Sequence, residues 1–464
     1  MRHSLQSPPA RRRWCSAAVS LLALLLLVPG AAHARKFTLP ELLDIARQAS
    51  PGLQASAAAT AALEAQVTEV RRNWLPQGDL LSLLAPSPNL KCIPSREECI
   101  ATQNSEVRLT NVSWNRVFTR TELRLIQPVW DFGKISAGTD AAKEGVAVAK
   151  ERENATRADL EQNVRKAYWG MKLARDVLDM LDTGSGYVDE GQKKLEKDLE
   201  AGTGTASVTD KLRIRTVRAE VDARILEAKR GQGLAREGLR VLLGAQAPAD
   251  IDVDEEAFEP LEIKDRPVTY YEDLARYTRP EARLLDHAVK AKNALADLER
   301  LRAYPDIILV GTAAFARAQD VEDPQNGFMN HYFNTTTAGI AAALRMQLDI
   351  GPKLARAARS NAEAAEIGYR RSEALGGIAL EVRKAYGEMN EASERIKAVQ
   401  KGERAAKSWI SAVAQNFALG LAEARDLTDA LVAFFNMRYR YLQAVFDYNV
   451  AVAALTRATG ASEL

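Results

Sequence analysis

Two parts of the chain, 118–127 and 340–348, alternate between apolar and polar side chains, and this period of two predicts β-strands. Their polar positions are occupied by Arg120, Glu122, Arg124, Arg345 and Gln347. On a strand these residues share one face, and the apolar or threonine residues between them form the other. An apolar segment upstream of each strand provides a pairing partner. We therefore predict two β-hairpins, at about 77–127 and about 306–348, each with a long polar loop.

Most of the remaining chain has the composition of long helices. Proline is absent from 129–247 and from 353–464, and Ala, Glu, Arg, Lys and Leu predominate in both stretches, which favours helix throughout. A turn around Gly204 interrupts the first stretch, and a turn around Gly420 interrupts the second. We predict two antiparallel helical hairpins, with arms of about 65 residues that would each be about 100 Å long.

The two halves of the chain repeat the same signals in the same order. The pentapeptide Val-Arg-Lys-Ala-Tyr occurs at 164–168 and again at 382–386, and such self-similarity indicates one structural unit built twice. The predicted organisation is a signal peptide at 1–34, a first repeat at 35–244 with its helix turn near 202–210, an acidic linker at 245–267, and a second repeat at 268–464 with its helix turn near 420–429.

Both repeats begin with signals for the start of a helix. Thr38 precedes Glu41 by three residues, and Thr269 precedes Glu272 by the same interval. This spacing is typical of a capping box, in which the hydroxyl and the carboxylate bind backbone donors of the first turn. We expect a helix to begin at each.

The first 34 residues have the features of a secretory signal peptide: three arginines at 11–13, an apolar core at 17–28 and a small-x-small cleavage site at 32–34. Removing them takes four arginines and no acidic residue from a chain with 63 basic and 61 acidic residues. The mature protein would be nearly neutral, which argues against nucleic acid as a partner. No later apolar run is long enough to predict a transmembrane helix.

Two cysteines, Cys92 and Cys99, lie in the polar loop of the first predicted hairpin. In an exported protein such a pair predicts a disulfide. A metal site is the alternative, but no histidine lies nearby, and two thiolates alone rarely hold a metal ion. The sequence shows neither a catalytic constellation nor a phosphate-binding glycine loop. It therefore predicts no enzyme, no cofactor and no metal site.

Four strands are too few to close a barrel, and an isolated hairpin is only marginally stable in water. Strands with one apolar and one polar face suit a transmembrane barrel, which needs at least eight strands. The pattern therefore predicts an oligomer that shares its strands between protomers. The alternative is a soluble periplasmic coiled-coil scaffold or adaptor protein, in which the chain itself covers a small sheet.

A series of short motifs runs through the first repeat and begins again in the second. The motifs are Phe-Thr-Leu-Pro-Glu-Leu-Leu at 37–43, Ser-Pro at 50–51, Trp-Leu-Pro at 74–76, Gln-Pro-Val-Trp-Asp-Phe-Gly at 127–133, Ala-Tyr at 167–168 and Leu-Leu-Gly at 242–244. In their order and duplication the chain resembles the TolC-like family of outer-membrane efflux proteins. The resemblance covers nearly all of the mature sequence.

The resemblance implies a mainly α fold with a small β part. In such a homotrimer, two β-hairpins per chain contribute four strands to a twelve-stranded transmembrane β-barrel, and the coiled-coil hairpins form an α-barrel through the periplasm. It also implies a passive exit duct for efflux or type I secretion. The partners would be a periplasmic adaptor protein, an inner-membrane transporter and outer-membrane lipid.

The turns between the helical arms are the candidate functional sites. Both contain glycine followed six positions later by aspartate, as Gly204 with Asp210 and Gly420 with Asp426, and the second turn adds Asp429. The resemblance implies that Asp426 and Asp429 form carboxylate rings at a periplasmic pore constriction, which would attract cations. The turns at Gly204, Asp210 and Gly420 would contact the adaptor. The alternative for these aspartates, and the favoured one for Asp210, is a cap in the first turn of a helix.

Further expectations concern side chains near the turns and in the strands. The resemblance implies a latch of one aromatic and one basic residue near the second turn; Phe417 and Arg425 are nearby, but Ala422 stands where a basic residue is common. Arg120, Glu122, Arg124, Arg345 and Gln347 would line the barrel lumen. In the second polar loop, Phe328, Tyr332 and Phe333 could belong to an aromatic girdle, to a loop plug or to ordinary loop packing.

Overall fold

The computed structural model describes residues 35–87, 114, 116–201, 207–244, 247–248, 251–264, 266–319, 321 and 332–461. The expected signal peptide, the Cys92–Cys99 pair, Gly204 and Phe328 lie outside these residues. The described chain is mainly helical with a small β part, which confirms the predicted fold class.

Each repeat is a series of two short helices, a β-hairpin and two long helices. The first contains α1 (Leu39–Ala49), α2 (Pro51–Arg72), β2 (Gln77–Ser87), β3 (Arg116–Trp130), α3 (Lys134–Ala201) and α4 (Val208–Leu243). The second contains α5 (Val268–Thr278), α6 (Pro280–Leu301), β5 (Asp306–Ala318), β6 (Thr335–Arg345), α7 (Ile350–Ala418) and α8 (Ala424–Thr459). A three-residue strand precedes each series: β1 (Arg35–Phe37) precedes the first, and β4 (Ile251–Val253) precedes the second.

Corresponding helices of the two repeats have nearly equal lengths, which confirms the duplication. The first helices have 11 residues each and the second 22, the third have 68 and 69, and the last have 36 each. The prediction of two arms of about 65 residues was therefore wrong for the returning arms. The glycine signal marks where the chain turns, but the turn does not divide the proline-free stretch equally.

The two predicted helix starts differ. At α1, the Thr38 backbone N–H donates to Glu41 Oε2 over 2.9 Å, so the capping box is present. At α5, the helix begins at Val268 with Pro267 as its N-cap, and the prediction of a cap at Thr269 was wrong. The carboxylate of Glu272 instead accepts a hydrogen bond from Arg383 of α7. This long-range ion pair takes the place of the predicted cap.

The chain forms two compact units. The helix-turn unit contains the described residues of 35–50, Asn163–Pro260 and Glu394–Val450. Its core includes Leu181, Leu239 and Leu442, all at most 1% exposed, and the parallel pair β1–β4 adds Phe37 opposite Val253. The sheet unit contains the described residues of Pro51–Gln162, Leu261–Ser393 and Ala451–Leu464.

The sheet unit contains one antiparallel sheet of four strands in the order β2-β3-β5-β6. The central pairing of β3 with β5 joins the two predicted hairpins, and β2 and β6 are the edge strands of this described sheet. The strands begin or end beside the helices at Gln77, Trp130, Asp306 and Arg345. Their other ends, at Ser87, Arg116, Ala318 and Thr335, lie together at the far edge.

Candidate functional site

The second helix turn is a short left-handed connection between α7 and α8. Gly420 has φ +76°, a conformation that glycine adopts without steric cost. Its N–H donates to Phe417 O over 3.1 Å, and the Leu421 N–H donates to Asn416 O over 2.8 Å. These bonds satisfy the last carbonyl groups of α7, as in a Schellman motif. The turn therefore brings the start of α8 back beside the end of α7.

Asp426 lies in the first turn of α8 and Asp429 in the second, both on the solvent side of the helix. Both are exposed, whereas Leu427 and Ala430 are buried. Asp426 Oδ2 accepts weakly from the Glu423 N–H at 3.4 Å, and Asp429 Oδ2 lies 3.7 Å from Arg425 Nε. An exposed pair of this kind is worth little energetically. The two carboxylates thus share one accessible helix face.

Asp210, in contrast, is engaged in a complete capping box. Its Oδ2 accepts from the Ser207 N–H at 3.1 Å and from Ser207 Oγ at 2.7 Å, and its own N–H donates to Ser207 Oγ at 3.2 Å. These bonds satisfy the free donors at the start of α4. The geometry favours the capping role for Asp210.

The residues near the second turn have different surroundings. Phe417 is buried, and Lys194 Nζ lies 5.9 Å from its ring centroid. Gly191 allows a close approach, since a Cβ there would lie 3.0 Å from Leu427 Cδ2. Phe417 therefore stabilises the packing beneath the turn, while Arg425 is exposed and faces Asp429.

The register of the sheet places the charged strand residues on one face. Arg120, Glu122 and Arg124 lie opposite Ala316, Ala314 and Thr312 of β5, and Arg345 of β6 shares this face through its pairing with Asp306. Arg120 and Glu122 form an ion pair. Arg345 lies 3.3 Å from Asp306, which also binds Lys134 at 2.7 Å. Gln347 follows the end of β6, and its carbonyl accepts from Lys353.

The opposite face of the sheet is apolar and uncovered. Leu84 is 72% exposed and Ile340 is 78% exposed, and Leu80, Leu123 and Leu344 are exposed as well. The alternation is less strict than the sequence indicated, because Leu81 and Leu83 share the face of Arg120 and Glu122.

A buried polar cluster in the helix-turn unit was not predicted. Lys172 is only 2% exposed at its side chain, and its Nζ binds Asp254 Oδ1 at 2.6 Å. The Tyr168 hydroxyl donates to Asp254 Oδ2 at 2.5 Å, and Arg175 donates to backbone carbonyls of 254 and 256. This Lys172 cluster fastens the segment after β4 to α3.

The two acidic groups of the Lys172 cluster titrate outside their usual ranges. Burial raises the pKa of Asp254, but hydrogen bonds from Lys172 and Tyr168 outweigh it and hold that pKa below its ordinary value. Burial and the bond to Asp254 raise the pKa of the Tyr168 phenol far above its ordinary value. In the sequence, Lys172 resembles any other helix residue, because its partner Asp254 lies in a distant segment and no local pattern predicts the contact.

Within the described ranges, no group of three or more His, Cys, Asp or Glu side chains is arranged to hold a metal ion. None of the described helices combines the length and the apolar character that crossing a membrane requires.

Solved structures show the same fold. The transmembrane channel CusC matches with a TM-score of 0.72 at 17% identity, over 94% of this chain and 96% of CusC. The Campylobacter jejuni outer membrane channel CmeC matches with a TM-score of 0.72 at 15% identity, over 98% of this chain and 94% of CmeC.

Sequence relatives extend the comparison. The alkaline protease secretion protein AprF of Pseudomonas aeruginosa is 25% identical over 337 residues, which are 72% of this chain and 68% of AprF. The toluene efflux pump outer membrane protein TtgF of Pseudomonas putida is 25% identical over 188 residues, 40% of this chain and 38% of TtgF. The pattern that defines outer membrane efflux proteins matches residues 103–245 and 273–461. The chain therefore belongs to the outer membrane efflux protein family, as an outer-membrane channel that extends into the periplasm rather than a soluble scaffold.

Proposed function

We propose that three copies of the chain close their sheets into one twelve-stranded barrel that conducts cargo passively and catalyses no reaction. The observation that carries this proposal is the open form of the four-stranded sheet. Its edge strands β2 and β6 have 11 residues each, and unpaired edges of this length would template aggregation in a free monomer. Pairing β2 of one copy with β6 of the next removes every edge.

The two faces of the sheet indicate which of them would form the outside of the closed barrel. The uncovered leucines and Ile340 are suited to contact lipid acyl chains, because apolar side chains cover the outside of a membrane barrel. Arg120, Glu122, Arg124 and Arg345 would then line the lumen, and Gln347, which follows the end of β6, would lie at its rim. A soluble scaffold would instead have to leave this apolar face in water.

The long helices support oligomerisation independently. Leu226, Leu234 and Val241 of α4 are exposed, as are Leu354 and Leu380 of α7. Apolar residues spread along a helix surface need a neighbouring helix to bury them. The adjacent copies of the trimer would supply that helix, so that the arms form an α-barrel through the periplasm.

The periplasmic entrance would lie at the second helix turn. Three copies would bring six carboxylates of Asp426 and Asp429 around one axis, and such rings attract cations and repel anions. The turns marked by Gly204, Asp210 and Gly420 would meet a periplasmic adaptor protein. Leu419 and Leu421 flank Gly420 and are about three-quarters exposed, which suits an apolar docking contact.

The proposed partners are this adaptor and an inner-membrane transporter that supplies the energy. AprF is named for protein secretion and TtgF for toluene efflux. Secretion is the better supported role, because the AprF match covers about two-thirds of both chains.

The test is the native mass of the protein after extraction from separated membranes in mild detergent. We expect an outer-membrane species of three mature chains that forms ion-conducting pores in a planar bilayer. A monomer in the soluble fraction would contradict the proposal.

A further inference from the structure

A short segment before β6 folds back onto the charged face of the sheet, near the strand ends that are remote from the helices. Asn334 is buried within this segment. Its side-chain oxygen accepts from the Ala318 N–H at 2.9 Å, and its amide nitrogen donates to Val321 O at 2.9 Å. These bonds fix residues 332–334 against the end of β5.

The same segment places two aromatic rings over the start of β3. Phe118 is 3% exposed. The Tyr332 ring is stacked on it with centroids 5.8 Å apart, and the Phe333 ring contacts it edge-on at 5.4 Å. Ala316 and Ala318 complete this cluster. Because Phe118 and Arg120 have the same parity on β3, the aromatic rings lie on the charged face and not on the apolar one.

Arg120 lies between the aromatic cluster and Glu122. Its guanidinium carbon is 5.0 Å from the Tyr332 centroid, within the range of a cation–π contact, and the guanidinium also pairs with Glu122. The Tyr332 side of this arrangement is open, since Tyr332 is 60% exposed. Tyr332 is thus held at its base and projects from the charged face.

We propose that Tyr332, supported by Phe118 and Arg120, narrows the outer end of the lumen and limits the size of passing solutes. This proposal rests on the trimeric barrel proposed above, in which three copies of Tyr332 would lie around one lumen. Glu122 neutralises the charge of Arg120 locally, so the three Tyr332 side chains would act by narrowing the lumen and not by their charge. The proposed carboxylates of Asp426 and Asp429 would act through charge instead.

The experiment measures single-channel conductance of the full-length protein in planar bilayers. The background variant is Asp426→Ala with Asp429→Ala, because two constrictions in series must be separated. In this background Tyr332→Ala should raise the conductance about 1.5-fold or more, with the cation preference unchanged, since it widens the lumen without changing its charge. Tyr332→Phe is the matched control, because it keeps the ring and its contacts; it should leave the conductance of the background unaltered.

The outcomes distinguish this inference from the proposed function. If the background conducts as a trimer and Tyr332→Ala conducts equally, the outer constriction is wrong while the barrel stands. If no variant forms a trimer or a pore, the proposed function fails and the inference fails with it. Native mass in detergent confirms that each variant assembles before its conductance is compared.

Discussion

The ammonium of Lys172 and the carboxylate of Asp254 form a 2.6 Å ion pair in the interior of the helix-turn unit. The pair fastens the segment between the two repeats to α3. Removing one partner of a buried pair leaves the other charge without compensation. Asp254→Asn should therefore destabilise the protein by about 3 kcal/mol, visible as a lower midpoint of thermal unfolding by circular dichroism.

The neighbouring residue Glu255 provides a matched control for this prediction. It pairs with Lys36, but the pair is largely exposed. Glu255→Gln should lower the midpoint far less than Asp254→Asn does, because solvent screens an exposed pair. Equal effects of the two substitutions would show that burial of Lys172 does not determine the cost.

The same cluster should give stability a defined pH dependence. The folded-state pKa of Asp254 lies below its ordinary 3.8, so its contribution is present above that pH and is lost as the pH falls through the folded-state value. The pKa of Tyr168 lies above its ordinary 10.0, so stability should decline as the pH rises past 10.0. Unfolding midpoints measured from acid to alkaline pH test both limits, and Tyr168→Phe should remove the alkaline decline contributed by this residue.

The acidic residues of the two turns should respond differently to substitution. Asp426→Ala with Asp429→Ala should reduce cation preference and raise the conductance in planar bilayers, because it removes the proposed charge ring. Asp210→Ala should leave selectivity unchanged and cost about 1 kcal/mol of stability, since it removes the carboxylate half of the capping box at Ser207. Unchanged selectivity and conductance in the double variant would refute the constriction.

The two faces of β6 allow a direct test of which side meets lipid. Ile340→Lys places a charge on the apolar face and should cost about 2–4 kcal/mol near the bilayer centre, so that trimer in the outer membrane falls. Ala341→Lys places the same charge one residue away on the face of Arg345, and the trimer should persist. The amount of trimer is measured by native mass after membrane separation; equal losses would contradict the assignment of faces.

Local patterns predicted much of the fold but little of its tertiary contacts. The hairpins, the long helices and the turn at Gly420 follow from period two, from composition and from a glycine. The strand β1 could not be predicted, because three residues at 35–37 become a strand only by pairing with Ile251–Val253. Likewise the sequence left three roles open for Tyr332, since its partner Phe118 belongs to a distant strand.

The candidate site residues show the same contrast between local patterns, which could be predicted, and tertiary contacts, which could not. Asp210 could be recognised as a cap because its partner Ser207 is three residues away. The shared face of Arg120, Glu122 and Arg124 followed from alternation, yet Leu81 and Leu83 lie on that face too, because packing along an edge strand does not require a polar residue at every position of one face.

The presence of both edge strands, β2 and β6, in one chain has a genetic consequence. Because β2 and β6 belong to different repeats of one chain, each protomer would give one edge to each neighbour, and a ring could not tolerate a single faulty member. A chain that has lost only β6 would still enter the ring through β2 and leave it unclosed. When such a chain is expressed in equal amount with the normal one, only about one ring in eight would contain normal chains alone, as random assortment into a closed trimer requires. An allele of this kind would be dominant over the wild type.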